Sequence, residues 1–256
     1  MKLSDNTILI TGGATGIGLA FAKKFVELGN KVIITGRRQD KLDEAARAVP
    51  GLVALRCDVA DPKAIAALAA KVIAEHPALN VLMNNAGIFL YKNLGADAGD
   101  LGDFTSEVDI NVAGPMRMVA ALIGHLKGKK GTIINVSSGL AFVPLQAAPI
   151  YCATKAALHS YTISLRQQLQ SSGVEVIELM PPAVRTELAD IPQTEGITII
   201  TTDVLVDATV KALRAGELEI RVGQANQLHW MSRLAPSFIN GQLGKGSASL
   251  VPQKNG

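Results

Sequence analysis

The feature that most constrains this chain is a rhythm. Short, nearly unbroken apolar runs alternate with longer stretches patterned for amphipathic helices. The runs are Ile8-Leu9-Ile10, Val32-Ile33-Ile34, Val53-Ala54-Leu55, Val81-Leu82-Met83, Ile133-Ile134 with Val136, and Val174 to Leu179. They are rich in β-branched residues and hardly alternate with polar ones, as strands buried on both faces do. Between the first two, Ile17, Phe21, Phe25 and Leu28 fall on one helical stripe, and Gly29 follows as a C-terminal stop. Ile65, Leu68, Ala69, Val72 and Ile73 form a second stripe, opened by Asp61 as cap and Pro62 in the first turn, where a missing N–H costs nothing. Repeated β-α-β units with short links demand a parallel sheet with helices on both faces. No linker or internal repeat divides the 256 residues, so the fold class is α/β in a single domain, 1–256.

Composition excludes several function classes. Hydrophobic residues make up 48% and charged residues 18%, which suits a packed globule and not a disordered chain. The net charge of +3 and the scattered lysines and arginines give no nucleic-acid footprint. No apolar run is long enough for a signal peptide or a membrane span, so the expectation is a soluble, cytoplasmic protein with no membrane partner. Cys57 and Cys152 belong to no Cys-x-x-Cys pair and read as small buried hydrophobes. His76, His125, His159 and His229 form no ligand pair, and Asp97, Asp100 and Asp103 lack the spacing of a calcium loop, so no metal is expected. The stretch Gly95 to Asp103 reads as a loop. Beyond Gly241 the Gly/Ser-rich end is expected to fray.

Between the first strand and the first helix lies Thr11-Gly12-Gly13-Ala14-Thr15-Gly16-Ile17-Gly18. This is the context a dinucleotide-binding turn requires. Gly12 permits the tight turn, Gly16 lets backbone approach a pyrophosphate, and Gly18 lets the helix pack on the sheet. The pyrophosphate would meet the free N–H groups at the helix start. The spacing is Gly-x-x-x-Gly-x-Gly rather than Gly-x-Gly-x-x-Gly. A second motif is Tyr151-Cys152-Ala153-Thr154-Lys155. Four residues apart on a helix, Tyr151 and Lys155 share a face. A free tyrosine has a pKa of about 10, and a nearby ammonium is expected to bring it down, which makes the pair a credible general acid/base.

Together with Asn84-Asn85-Ala86-Gly87, Asn111 in Asp109-Ile110-Asn111-Val112, and Ser138 at the end of Ile133 to Ser138, these motifs resemble the short-chain dehydrogenase/reductase family, in family order over residues 7 to 186. Ser138, 13 residues before the tyrosine, matches the family's serine better than Ser137 does. The resemblance implies a Rossmann-type doubly wound parallel sheet and a nicotinamide cofactor. It implies that Tyr151 exchanges a proton with the carbonyl oxygen, and that Ser138 hydrogen-bonds that oxygen. Lys155 would lower the tyrosine pKa and bind the nicotinamide ribose, and Asn111 would hold a water linking Lys155 to solvent. The dinucleotide would touch Gly12, Thr15, Gly16, Ile17, Gly18, Arg37, Arg38, Asn85, Ala86, Gly87, Tyr151 and Lys155. Asp58 and Val59 would flank the adenine, while Pro181, Val184 and Thr186 would meet the nicotinamide end.

The cofactor's ribose is read at the end of strand two. There the segment is Thr35-Gly36-Arg37-Arg38, with no acid to bond a 2′-hydroxyl and two guanidinium groups suited to a 2′-phosphate. NADP(H) is therefore expected over NAD(H), although Thr15 stands where many NADP-using members of the family carry a basic residue. Asp40 and Asp43 fall early in the next helix, where acids suit its dipole.

After the sixth strand the family's Pro-Gly becomes Pro181-Pro182, which should stiffen the turn. By resemblance a substrate lid spans about 184–202, and a C-terminal extension follows over about 224–256. Leu188, Ile191, Ile197 and Ile199 from the lid, with Leu140, Phe142 and Val143, are candidates for a pocket that takes a hydrophobic ketone or aldehyde. The helices of Met116 to Leu126 and Ala156 to Leu169 are apolar enough to build the family's usual homo-oligomer, a dimer or tetramer. The expected activity is an NADP(H)-dependent carbonyl reductase or alcohol dehydrogenase. One rival is a 3-oxoacyl-thioester reductase, whose carrier would dock on a basic patch such as Lys127, Lys129 and Lys130. Another, from a different class, is a non-catalytic dinucleotide-binding redox sensor. The general pattern also resembles oxidoreductases encoded near D-alanine transfer genes, which fixes no substrate.

Overall fold

A computed structural model of the chain describes residues 1–94, 105–186, 197–247 and 250. Seven strands form one parallel sheet: β1 Thr7–Thr11, β2 Lys31–Gly36, β3 Val53–Arg56, β4 Leu79–Asn84, β5 Thr132–Val136, β6 Glu175–Met180 and β7 Glu219–Arg221. Their order is β3-β2-β1-β4-β5-β6-β7. The order reverses between β1 and β4, and at such a switch point the connections leave in opposite directions and open a crevice beyond the strand ends. The six apolar runs seen in the sequence are the first six strands.

The helices are α1 Gly16–Glu27, α2 Gln39–Ala48, α3 Pro62–Glu75, a short α4 Ser106–Val108, α5 Gly114–Lys129, α6 Pro149–Leu169, α7 Thr202–Arg214, α8 Gln224–Leu234 and α9 Pro236–Ser247. A π-helical turn, Asp109–Ala113, joins α4 to α5 and carries Asn111. Such turns widen the helix locally and are frequent at functional sites. The sheet separates two cores. On one face Ile8, Ile10, Ile34, Ile134 and Leu179 meet Phe21 and Phe25 of α1 and Leu205 of α7. On the other, Leu9, Ile33, Leu82, Ile133 and Val176 meet Leu68 and Val72 of α3, Leu122 of α5 and Leu165 of α6. Phe21 and Phe25 are fully buried and stack with centroids 5.8 Å apart. Each such side chain contributes roughly 1.5–3 kcal/mol.

The helix ends follow local chemistry. The Asp61 carboxylate accepts from the Lys63 N–H at 2.8 Å, with Pro62 opening α3. Gly29, at φ +82°, ends α1 and donates to the Val26 carbonyl. Two expectations change. β7 is a further strand that the sequence did not announce; it has three residues, two of them charged. The chain beyond Gly241 does not fray at once, because α9 continues to Ser247.

Candidate active site

The C-terminal ends of β1, β2, β4, β5 and β6 converge on one cavity of about 470 Å³. Its floor begins with the turn after β1. Gly12 and Gly16 have φ of +64° and +55°, the left-handed region that favours glycine. A Cβ on Gly18 would stand 2.2 Å from the Gly12 carbonyl oxygen and 2.5 Å from Asn85 Nδ2, so only glycine lets α1 start this close to the turn. Gly13 obeys a similar limit, since a Cβ there would lie 2.5 Å from the Ile34 side chain; its role was not apparent from the motif alone. The turn is clamped from β4. Asn85 Nδ2 donates to the carbonyls of Thr11 (3.0 Å) and Gly12 (3.1 Å). The Thr11 hydroxyl accepts from the N–H groups of Asn85 and Ala86, both at 3.0 Å.

These features fit a dinucleotide. Backbone without side chains lines the wall, the start of α1 faces the cavity, and a Cβ at Gly12 would collide with the Ala86 backbone beyond β4, one at Gly18 with the turn itself. Every residue expected to touch the dinucleotide borders this cavity. Thr15 and Ile17 lie on the glycine turn; Arg37 and Arg38 are exposed at the rim beyond β2; Asp58 and Val59 follow β3; Ala86 and Gly87 follow β4. Pro181, Val184 and Thr186 close it beyond β6, and Thr186 comes over Gly16, within 3.4 Å of where its Cβ would be. Val184 also bridges to Ile200, which ties together the two ends of the expected lid. Within that lid, Leu188 and Ile191 lie outside the described residues, as do Asp97, Asp100 and Asp103.

Ser138, Tyr151 and Lys155 border the same cavity. Ser138 caps the short 3₁₀ turn Gly139–Ala141, with its hydroxyl accepting from the Leu140 N–H at 3.1 Å. Lys155 is buried; its ammonium donates to the Val136 carbonyl at 2.9 Å and stands 5.6 Å from the Tyr151 ring centroid. Asn111 is fully buried and does not border the cavity. Its side chain bonds both the N–H and the carbonyl of Ile88 (2.8 and 2.9 Å) and the Thr154 hydroxyl (3.1 Å). Gly87 separates the two groups: a Cβ there would lie 3.2 Å from Asn111 Oδ1 and 3.6 Å from Lys155 Nζ. Below the site a polar chain runs from Asn84 to Asn135 to Thr162, each bond 2.9 Å, linking β4, β5 and α6.

The electrostatics correct one expectation. In the chain alone, burial pushes the Tyr151 phenol well above its usual value, against a smaller downward pull from the Ser138 side chain. Burial also lowers Lys155 to about 8, opposed by the field of Glu178. The four-residue spacing brings the pair together, with Lys155 Nζ 5.6 Å from the Tyr151 ring centroid, but desolvation dominates the phenol. Burial raises the thiols of Cys57 and Cys152 to about 11, so both remain thiols at neutral pH.

The expected pocket residues divide. Leu140 and Ile197 border the cavity, joined by Phe89, Tyr91, Leu145 and Leu228, which the sequence had not singled out, whereas Ile199 does not border it. Val143 instead is fully buried, and Phe142 packs edge-on against His159 and His229, with centroids 5.1 and 4.8 Å away. Neither Phe142 nor Val143 borders the cavity. Lys127 and Lys129 end α5, and Lys130 caps it two residues before β5, so all three lie at the opposite end of the sheet from the site. Among the described residues, no cluster of His, Cys, Asp or Glu could hold a metal, and no helix is long and apolar enough to cross a membrane.

Comparison with known proteins agrees with this architecture. Residues 6–195 match the family model for short chain dehydrogenases. An uncharacterised oxidoreductase of Bacillus subtilis, DltE, is 43% identical over 224 residues, covering 86% of this chain and 89% of its own. Serine 3-dehydrogenase of Rhizobium radiobacter is 31% identical, covering 92% and 91%. The crystal structure of a short chain dehydrogenase from Burkholderia cenocepacia in complex with NADP superposes with a TM-score of 0.83 at 26% identity, covering 95% of this chain and 99% of that one. The chain belongs to the short-chain dehydrogenase family of nicotinamide-dependent oxidoreductases.

Proposed function

We propose that the chain is an NADP(H)-dependent carbonyl reductase that also works in reverse as an alcohol dehydrogenase. The observation that carries this reading is the convergence of Ser138, Tyr151 and Lys155 with the glycine turn on one cavity. A nicotinamide dinucleotide, when bound, supplies or receives the hydride. The protein's own groups do the rest. Tyr151 holds a proton on its phenol oxygen, where burial keeps it until a carbonyl oxygen accepts it. Ser138 donates to that same oxygen and fixes its position. Lys155, charged at neutral pH, favours negative charge on the tyrosine as the proton leaves. Asn111 braces Ile88 and Thr154, which flank these groups.

Arg37 and Arg38 at the rim suit a 2′-phosphate and support NADP(H). The NADP in the Burkholderia cenocepacia structure points the same way. Phe89, Tyr91, Leu140, Leu145, Ile197 and Leu228 give the substrate end an apolar lining suited to a hydrophobic ketone or aldehyde. For a carrier-borne thioester, the basic residues considered for docking stand at the far end of the sheet. The family's pairing through α5 and α6 is supported by small exposed residues there, including Ala120, Gly124, Ala156 and Ser160. Light scattering on the purified chain tests it, and a monomer at all concentrations would reject it.

The deciding experiment follows NADPH and NADH oxidation with a panel of aryl ketones, diketones, aldehydes and acetoacetyl thioesters. Turnover with NADPH that disappears in Tyr151→Phe, while NADPH still binds, is the expected result. Turnover retained in Tyr151→Phe would overturn the mechanism. Tight binding without turnover across the panel would favour the sensor.

A further inference from the structure

Glu178 lies in the middle of β6, fully buried, between the apolar neighbours Ile177 and Leu179. Taking a carboxylate out of water is costly unless its oxygens are met, and an apolar side chain there would pack at no such cost. Both oxygens are met. The Ser137 hydroxyl donates to Oε1. His159 Nδ1 stands 3.0 Å from Oε1 and 2.8 Å from Oε2, so that nitrogen carries the proton of the bond. His159 follows Lys155 by one helical turn and Tyr151 by two, which puts the three on one face of α6.

We propose that Glu178 is a positioning residue of the active site: a carboxylate sealed between β6 and α6, clamped by Ser137 and His159, that serves as the fixed counter-charge of Lys155. The inference rests on the reading of Tyr151 and Lys155 as the reacting pair. It also separates the two adjacent serines. Both serines border the cavity, but the Ser138 side chain bonds Tyr151, while the Ser137 hydroxyl holds the carboxylate.

The other charged groups around Glu178 are already matched. Glu219 is its register partner on β7, and that carboxylate is taken by Arg166 of α6 at 3.1 Å and Arg221 of β7 at 2.6 Å. His229 of α8 reaches His159 only across the Phe142 ring, and Arg233 lies beside His229 at 2.7 Å. His159 is therefore the proton-bearing group bonded to Glu178, and Lys155 stands one helical turn before it on the same face of α6, its ammonium on the carbonyl of Val136, the residue before Ser137. The Glu178 field acts on Lys155 in the direction the proposal needs, favouring the ammonium against burial.

The test uses the full-length, ligand-free chain with isotopically labelled lysine side chains. The Lys155 signal is identified by its loss in Lys155→Met and titrated by NMR. Glu178→Gln keeps the shape and removes the charge, so the Lys155 midpoint should fall by about one pH unit or more. Glu178→Asp, which keeps the charge, should restore most of that fall. A Glu178→Gln midpoint equal to wild type overturns the proposal, as does a Glu178→Asp midpoint displaced as far as that of the glutamine variant. If Glu178→Gln does not fold, Glu178→Leu, an apolar side chain of similar volume, is titrated in its place. Removing the charge in this way should lower the midpoint in the same direction, and an unmoved midpoint again overturns the proposal. No turnover enters this readout. A failure here therefore leaves the reductase reading intact, and activity retained in Tyr151→Phe leaves this result intact.

Discussion

The ammonium of Lys155 donates to the main-chain carbonyl of Val136 at 2.9 Å, in a place from which water is almost wholly excluded. One bond to a carbonyl does not replace the hydration a free ammonium enjoys. The lysine accordingly releases its proton near pH 8 in the folded chain, against a usual 10.5. Between those values the unfolded chain holds more protons than the folded one, so this group makes stability rise with pH across that window. The displacement corresponds to on the order of 3 kcal/mol. Denaturant unfolding of wild type and Lys155→Met, ligand-free, from pH 7 to 10 should show wild type gaining on the variant as pH rises. A constant difference would mean that the buried ammonium carries no such cost.

Arg37 and Arg38 stand at the rim of the cavity where β2 ends. The Arg37 main-chain carbonyl accepts from Arg56 Nε at 3.2 Å, a contact that a side-chain change leaves in place. Arg37→Asp should therefore fold normally while setting a carboxylate against a 2′-phosphate. The affinity ratio of NADPH to NADH should fall by about tenfold or more, the equivalent of one charge-assisted hydrogen bond lost and a repulsion gained. Fluorescence titration with both cofactors measures it, and an unaltered ratio would move the 2′-phosphate site elsewhere.

What the sequence made legible was local. The glycine turn, the Asp61 cap, the Tyr151–Lys155 spacing and the six apolar runs each depend on a few neighbouring residues, and each is where its pattern put it. The Ser137–Glu178–His159 clamp was not legible, because it exists only once β5 pairs with β6 and α6 folds over both. Phe142 and Val143 were expected in the pocket as apolar residues beside Leu140, yet the 3₁₀ turn at Gly139–Ala141 carries them away from the cavity. The direction of the Tyr151 shift was misjudged for a related reason. Spacing reveals a neighbour, but burial is a property of the whole fold.

Gly18 offers a direct test of the close approach between α1 and the turn. In Gly18→Ala the new methyl would meet the Gly12 carbonyl oxygen at 2.2 Å, a backbone atom that can yield only if the turn moves. Overpacking of this kind costs about 1–3 kcal/mol. Because the displaced atoms line the cavity, dinucleotide binding should weaken together with stability. Thermal unfolding and cofactor titration on one preparation should both change; intact binding in a destabilised variant would separate the turn from the cofactor.

Thr11 joins the two strands at the switch point through one oxygen. Its hydroxyl accepts from the N–H groups of Asn85 and Ala86 at 3.0 Å each, and the residue is 2% exposed. Thr11→Val keeps the shape and leaves both donors without that acceptor. An unmet buried donor costs about 1–3 kcal/mol, so the variant should lose stability by at least the lower end of that range. The loss should be accompanied by weaker cofactor binding, since Asn85 also clamps the Thr11 and Gly12 carbonyls of the glycine turn. Thr11→Ser, which restores the oxygen but not the methyl, should recover most of the binding. If serine and valine behaved alike, the methyl's packing and not the shared hydroxyl would be holding β1 to β4.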